Sequence, residues 1–168
     1  MSKALIVVDM QKDFIDGTLG TSEAVAIVEN VKKKIQDKKE EGWDIIYTRD
    51  THQENYLETN EGKNLPVKHC IEDTEGWEIY PGLYVEGSDI IYKHSFGYTG
   101  WSDYDFEEVE LIGLCTDICV VSNALIIKAL FPEINISLDA SCCAGVTPDT
   151  HKAALETLKS CQVKVYND

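Results

Sequence analysis

Short apolar runs separated by longer amphipathic stretches set the rhythm of this chain. Ala4–Val8, Trp43–Tyr47, Val109–Leu114 and Ile134–Leu138 are near-continuously hydrophobic rather than alternating, the pattern of strands buried on both faces. Asp89–Tyr92 and Gln162–Tyr166 extend the set to six, the last suited to an edge. Between them, Ser22–Glu40 carries Val25, Val28, Val31 and Ile35 at helical spacing, with Gly42 as a C-terminal stop. Ile118–Leu130 is apolar nearly all round, as a helix packed on a sheet is, and Pro132 ends it. Thr147-Pro-Asp-Thr150 opens a further helix with a capping hydroxyl, a proline in the first turn and a carboxylate near the positive end. Strands alternating with helices predict a three-layer α/β/α fold, an open, mostly parallel six-stranded sheet of Rossmann-like kind. Two stretches break the rhythm. Thr51–Gly82 reads as a long functional loop with short helical pieces, and His94–Glu108 is just long enough for a parallel crossover.

No repeat, linker or low-complexity tract interrupts the 168 residues, so a single domain over 1–168 is expected. That length buries a substantial core without disulfides or structural metal. Acidic residues outnumber basic ones 30 to 15, a formal charge of −15. Such a surface repels polyanions, which argues against nucleic acid and anionic membrane as partners. Cys70, Cys115, Cys119, Cys142, Cys143 and Cys161 show no disulfide-framework spacing. The first apolar run meets Asp9 too soon for a signal peptide, and no segment approaches a membrane span. A reducing cytoplasm is the expected location.

In open parallel sheets, ligands bind beyond the carboxyl ends of the strands. Asp9, Asp50, Lys93 and the Cys115–Cys119 stretch all fall there. A thiol at Cys119, between a strand and a helix, meets free N–H groups and the positive end of a helix dipole, which stabilise a thiolate and an adjacent oxyanion. The plainer alternative is a small buried hydrophobe. Asp9 beside such a thiol can take its proton and later deliver it to a leaving amine, or else simply cap a turn, with Gln11 and Asp13 solvated. Lys93 in the same cleft lowers the cysteine pKa and balances the aspartate; otherwise it is a surface lysine. His94 competes for that role, although strand alternation directs it elsewhere. Asp50-Thr-His52, followed by Glu58, Glu61 and His69, has the composition of a zinc, iron or manganese site. Cys115-x-x-x-Cys119 lacks the C-x-x-C spacing of a redox or metal pair, and Cys142-Cys143 reads as packing at a strand end.

The segments Val8–Phe14, Thr48–His52, Leu65–Cys70, Tyr92-Lys93, Gly113–Val120 and Asp139-Ala140, in this order, resemble the isochorismatase-like cysteine hydrolases, nicotinamidases in particular. The resemblance spans about residues 4 to 160. It implies a catalytic triad of Asp9, Lys93 and Cys119, and a cis peptide between Leu114 and Cys115. The N–H groups of Cys115 and Cys119 would then form an oxyanion hole. It further implies a divalent metal, zinc first with iron or manganese as alternatives, held by Asp50, His52 and His69. Glu61 is the best match for a fourth ligand, with Glu58 second. Phe14 and Leu65 resemble positions lining the substrate pocket, and Ile118 adjoins the nucleophile. Two of these depart from the usual pattern: Leu65 stands where an aromatic is common, and Ile118 where several nicotinamidases are more polar. The segment His94–Glu108 is also trimmed.

The implied activity is hydrolysis of a small carboxamide, nicotinamide to nicotinate and ammonia, through a thioester. An N-carbamoyl amidase of the same family, needing no metal, is one alternative. A non-catalytic binding or redox module on the same scaffold is another. A true isochorismatase, which cleaves a vinyl ether, would not depend on the cysteine. Family likeness also implies a homodimer or larger homo-oligomer.

Overall fold

Six strands make one sheet in the computed structural model, which describes all 168 residues: β1 (Ser2–Val8), β2 (Asp44–Asp50), β3 (Asp89–Lys93), β4 (Phe106–Leu114), β5 (Asn135–Ala144) and β6 (Lys164–Tyr166). The order is β3-β2-β1-β4-β5-β6, and every pairing is parallel. Strand order reverses between β1 and β4. Helices leave these two strands toward different faces, which opens a crevice at their carboxyl ends.

The helices are α1 (Lys12–Ile15), α2 (Ser22–Ala26), α3 (Val28–Glu40), α4 (Asn60–Asn64), α5 (Val121–Leu130) and α6 (Pro148–Ser160). Side chains of β1 alternate between two cores. Leu5 and Val7 pack with Val31 and Ile35 of α3, whereas Ala4, Ile6 and Val8 share a core with Ala124 and Ile127 of α5 and with Leu155 and Leu158 of α6. From Ala4 to Val8, β1 is buried on both faces and carries no polar residue before Asp9. Each fully buried Leu, Ile or Val contributes roughly 1.5–3 kcal/mol relative to an exposed one. The Thr147 cap forms as expected, accepting the Thr150 N–H at 3.1 Å and returning its own N–H to the Thr150 hydroxyl at 3.1 Å.

The elements differ from the sequence reading at their ends. β2 runs on through Thr48, Arg49 and Asp50, and β5 runs six residues past Leu138, because polar strand ends still pair with their neighbours. The helix expected over Ser22–Glu40 divides at Ile27 into α2 and α3. The division changes the phase: Ala24 and Ile27 are buried, and Val25 is 50% exposed. A single π-helical turn, Thr116–Val120, precedes α5. The Thr51–Gly82 loop holds α4 and two short 3-10 turns. No helix is long and apolar enough to cross a membrane, and all six cysteines are free.

Gly113 is the position where the sheet tolerates no side chain. Its φ is +119°, and a Cβ there would lie 2.2 Å from the Val8 carbonyl oxygen in the neighbouring strand. Gly113→Ala is expected to cost about 4 kcal/mol or to prevent folding. Urea denaturation reads this directly, and a loss below ~1 kcal/mol would contradict the close β1–β4 approach.

Candidate active site

Asp9, the residue after β1, adopts φ +49°, a left-handed conformation that costs a non-glycine residue roughly 1–2 kcal/mol. Thr48 at the end of β2 fixes it. The Asp9 N–H donates to the Thr48 carbonyl at 3.2 Å and to its hydroxyl at 3.1 Å, and that hydroxyl donates to Asp9 Oδ1 at 2.6 Å. The other carboxylate oxygen, Oδ2, lies 2.7 Å from Lys93 Nζ without a well-directed hydrogen bond. Thr48 thus fixes one carboxylate oxygen, and the other faces Lys93.

Lys93 closes β3 and is buried. Its ammonium bridges the site, donating to Cys119 Sγ at 3.3 Å and to the Ser95 carbonyl at 3.2 Å, and lying 3.4 Å from Asp50 Oδ1. Burial opposes this charge, but Asp9, Cys119 and Asp50 outweigh it and raise the lysine well above its ordinary value. His94 points away, exposed, with Nδ1 at 3.2 Å from the Thr51 carbonyl.

Cys119 lies in the π turn rather than at the first turn of a regular helix, and it is buried. Burial first, then Asp9, pushes its thiol well above the usual value; Lys93 pulls the other way and does not win. Lys93 acts in the expected direction, but burial and the carboxylates set the sign of the net shift. A sulfur so desolvated, with two carboxylates close by, keeps its proton until a base removes it. Asp9 can be that base, since burial raises its own pKa despite the lysine. The Leu114–Cys115 peptide is cis. The Cys115 carbonyl accepts the N–H groups of Ile118 at 3.0 Å and Val120 at 3.1 Å, passing over that of Cys119.

A second cluster lies on the other side of Lys93. Asp50, His52, Glu61 and His69 present ligand atoms all within 4.8 Å of one another. His52 Nε2 is 3.0 Å from Asp50 Oδ2 and 3.1 Å from Glu61 Oε2, while His69 Nε2 is 3.5 Å and 3.7 Å from the same two atoms. The Val67 carbonyl lies 2.8 Å from His69 Nδ1, so Nδ1 carries a proton and Nε2 faces the cluster. Gln11 holds Asp50 through its backbone, accepting the Asp50 N–H at 2.8 Å and donating to its carbonyl at 2.9 Å. The buried ring of Tyr56 packs edgewise on both imidazoles. Glu58 is exposed and outside the cluster, whereas Glu61 is part of it.

Two imidazoles and two carboxylates are a fitting donor set for zinc, manganese or iron. The electrostatics agree. Burial lowers the His52 pKa, yet Asp50 and Glu61 together bring it up to about 9, so the cluster favours positive charge. The residues fit a divalent cation.

Between the thiol and this cluster lies a cavity of about 160 Å³. Cys115 and Cys119 line it on one side, with Asp50, Glu61 and His69 on the other. Phe14, Leu65 and Ile118, the three pocket residues expected from the sequence, all line it. Leu19, Thr21, Phe96 and Val146 complete the lining and carried no signal in the sequence. Thr48 and Gln11 were likewise given no role, although each lies in a segment that carried the resemblance.

The sequence matches the Isochorismatase domain over residues 3–167. The chain belongs to the isochorismatase family. Among its relatives in this family is the nicotinamidase/pyrazinamidase of Mycobacterium tuberculosis, 26% identical over 189 aligned positions that cover 97% of each chain. The crystal structure of the pyrazinamidase of Pyrococcus horikoshii in complex with zinc superposes with a TM-score of 0.85 at 31% identity, covering 100% of both chains. A pyrazinamidase/nicotinamidase from Streptococcus mutans superposes at 0.87 with 27% identity, over 98% of this chain and 99% of that one. The isochorismatase-family hydrolase described here thus shares its whole architecture with these proteins.

Proposed function

We propose that this isochorismatase-family hydrolase cleaves a small aromatic carboxamide, best read as nicotinamide giving nicotinate and ammonia, through a thioester on Cys119. The observation that carries this reading is one ammonium, Lys93, in contact with both Asp9 and the Cys119 sulfur at the base of an apolar pocket.

Asp9 takes the thiol proton as the sulfur attacks the amide carbon, forming the C–S bond and an oxyanion. The N–H groups of Cys115 and Cys119 hold that oxyanion, and one such donor is typically worth ~3 kcal/mol. Asp9 returns the proton to nitrogen as the C–N bond breaks and ammonia leaves. Water, deprotonated by Asp9, then attacks the thioester; the C–S bond breaks and the released thiolate recovers the proton. Lys93 remains charged throughout and balances whichever of Asp9 and Cys119 carries the negative charge. Asp50, His52, Glu61 and His69 would hold the cation, zinc first with iron or manganese as alternatives, and the bound ion would supply an anchor for a ring nitrogen. The chain's own residues break the bonds.

Size and charge support an uncharged ring. A dry apolar cavity of roughly 150 Å³ takes up a benzene molecule, and this one is about 160 Å³. No lysine or arginine lines it, while Asp50 and Glu61 do. The carboxylate of an N-carbamoyl amino acid would therefore find no side-chain cation in the lining to pair with.

Ammonia release from nicotinamide, pyrazinamide, benzamide and an N-carbamoyl amino acid, on zinc-loaded and chelator-treated protein, tests the reading. The two nitrogen heterocycles should exceed the N-carbamoyl compound by about 100-fold or more in kcat/KM, about 3 kcal/mol of discrimination. His52→Ala should lose stoichiometric metal by elemental analysis and raise KM about 10–100-fold, with a smaller effect on kcat. Preference for the N-carbamoyl compound, or the same KM with and without metal, would overturn the substrate assignment.

A further inference from the structure

The trimmed crossover after β3 and the turn that carries Cys119 meet at one side chain that neither motif nor mechanism accounts for. Asn123, on the first turn of α5, is fully buried. Its Oδ1 accepts the Tyr98 N–H at 2.8 Å and the Trp101 indole N–H at 2.9 Å. Its Nδ2 donates to the Cys119 carbonyl at 2.8 Å and to the Phe96 carbonyl at 3.2 Å. A carboxamide has two donors and two acceptor sites, and all four are used. The partners are not arbitrary. Cys119 is the sulfur-bearing residue, Phe96 forms part of the cavity wall at 47% exposure, and the adjoining Ser95 carbonyl accepts from Lys93.

We propose that Asn123 is a positioning residue that sets the distance between the Phe96 wall and the Cys119 sulfur. The Phe96 loop has no strand or helix of its own to stiffen it. An exposed aromatic on such a loop is useful as a wall only when its backbone is tied down, and Asn123 ties it to the turn that carries the nucleophile. Loss of the amide leaves two carbonyls and two N–H donors unpaired in the interior, and the loop moves to find water for them. The ring then leaves the pocket edge, and the Cys119 carbonyl loses the bond that holds its turn.

This inference rests on the reading of Cys119 as nucleophile, and the experiment separates the two. With nicotinamide as the probe, Asn123→Ala should raise KM and lower kcat, each about tenfold (~1.4 kcal/mol). Phe96→Ala should raise KM with kcat within threefold of the unmodified protein. In the Phe96→Ala background, Asn123→Ala should add no further rise in KM and keep its loss in kcat, because the KM effect passes through the ring. Asn123→Ser should recover kcat and not KM, since a serine hydroxyl can bond back to the carbonyl four residues earlier but cannot reach the Phe96 loop. Trp101→Phe, which removes the indole bond together with part of a buried ring, should lower the melting temperature and leave both constants within twofold.

Cys119 alkylation by iodoacetamide, followed by peptide mass spectrometry without substrate, should change at least threefold in Asn123→Ala and return toward the native rate in Asn123→Ser. If Asn123→Ala does not fold, the serine variant carries the test through its raised KM. Folded Asn123 variants with native KM, kcat and alkylation rate would overturn the proposal, and so would KM effects that multiply in the double variant. If the unmodified protein hydrolyses no amide, the functional reading falls and the alkylation rates alone decide this inference.

Discussion

Cys119→Ala is expected to lower amide turnover by about 10⁴-fold or more while leaving the protein folded. Only this sulfur lies within reach of Lys93, at 3.3 Å. Cys115 lines the same cavity, but the Lys93 ammonium bonds to the Cys119 sulfur and not to that of Cys115. It is therefore not expected to substitute as nucleophile. Removing one buried sulfur from the core that also contains Val120 and Ala124 costs stability modestly, on the order of 1 kcal/mol. Initial rates of ammonia release beside a thermal melt separate the two effects. Turnover above about 1% of the native rate in a folded variant would remove Cys119 from the mechanism.

Asp9→Asn should lose nearly as much, about 10³–10⁴-fold in kcat, since general acid–base transfer of this kind contributes up to ~10⁴. The resting thiol is protonated, so without the carboxylate nothing beside the sulfur takes its proton, and nothing then protonates the departing nitrogen. The amide retains an acceptor for the Thr48 hydroxyl, so that local contact survives. What changes elsewhere is charge. Lys93 keeps only Asp50 as an ionised carboxylate partner, at 3.4 Å instead of the 2.7 Å of Asp9. The melting temperature should fall, because a buried ammonium is left less compensated. KM should change less than kcat. A variant with native kcat would show that proton transfer runs through another group.

How much of this could be read in the amino-acid sequence depended on where each interaction lies along the chain. β1 and the body of β4 were legible because burial on both faces leaves an apolar run, interrupted in β4 by Glu110. The end of β5 was hidden because Asp139 and Ser141 serve local hydrogen bonds there, Ser141 donating to Asp139 through both N–H and hydroxyl. The ends of β2 and β3 were misjudged for a related reason: Asp50 and Lys93 are strand residues that face the site, and polar groups there imitate a loop. The cluster of Asp50, His52 and His69 was recognisable from residue types and order. The choice of Glu61 over Glu58 was not fixed by spacing alone, because it depends on the capped turn of α4 that swings one glutamate inward. Thr48, Gln11 and Asn123 act through hydrogen bonds that span 39, 39 to 66 and 4 to 27 residues of sequence. Nothing local marks such residues. The direction of the Cys119 shift also needed three dimensions, since it is burial and the neighbouring carboxylates that overcome the lysine.

The central claim is a covalent one: the substrate's acyl group passes through the Cys119 sulfur before it meets water. Hydroxylamine partitioning tests it most directly. With nicotinamide and increasing hydroxylamine, a thioester should be intercepted, so that nicotinohydroxamate appears at the expense of nicotinate while total ammonia release does not fall. Turnover that continues to give only nicotinate at saturating hydroxylamine would contradict the thioester and place the attacking water on the amide itself.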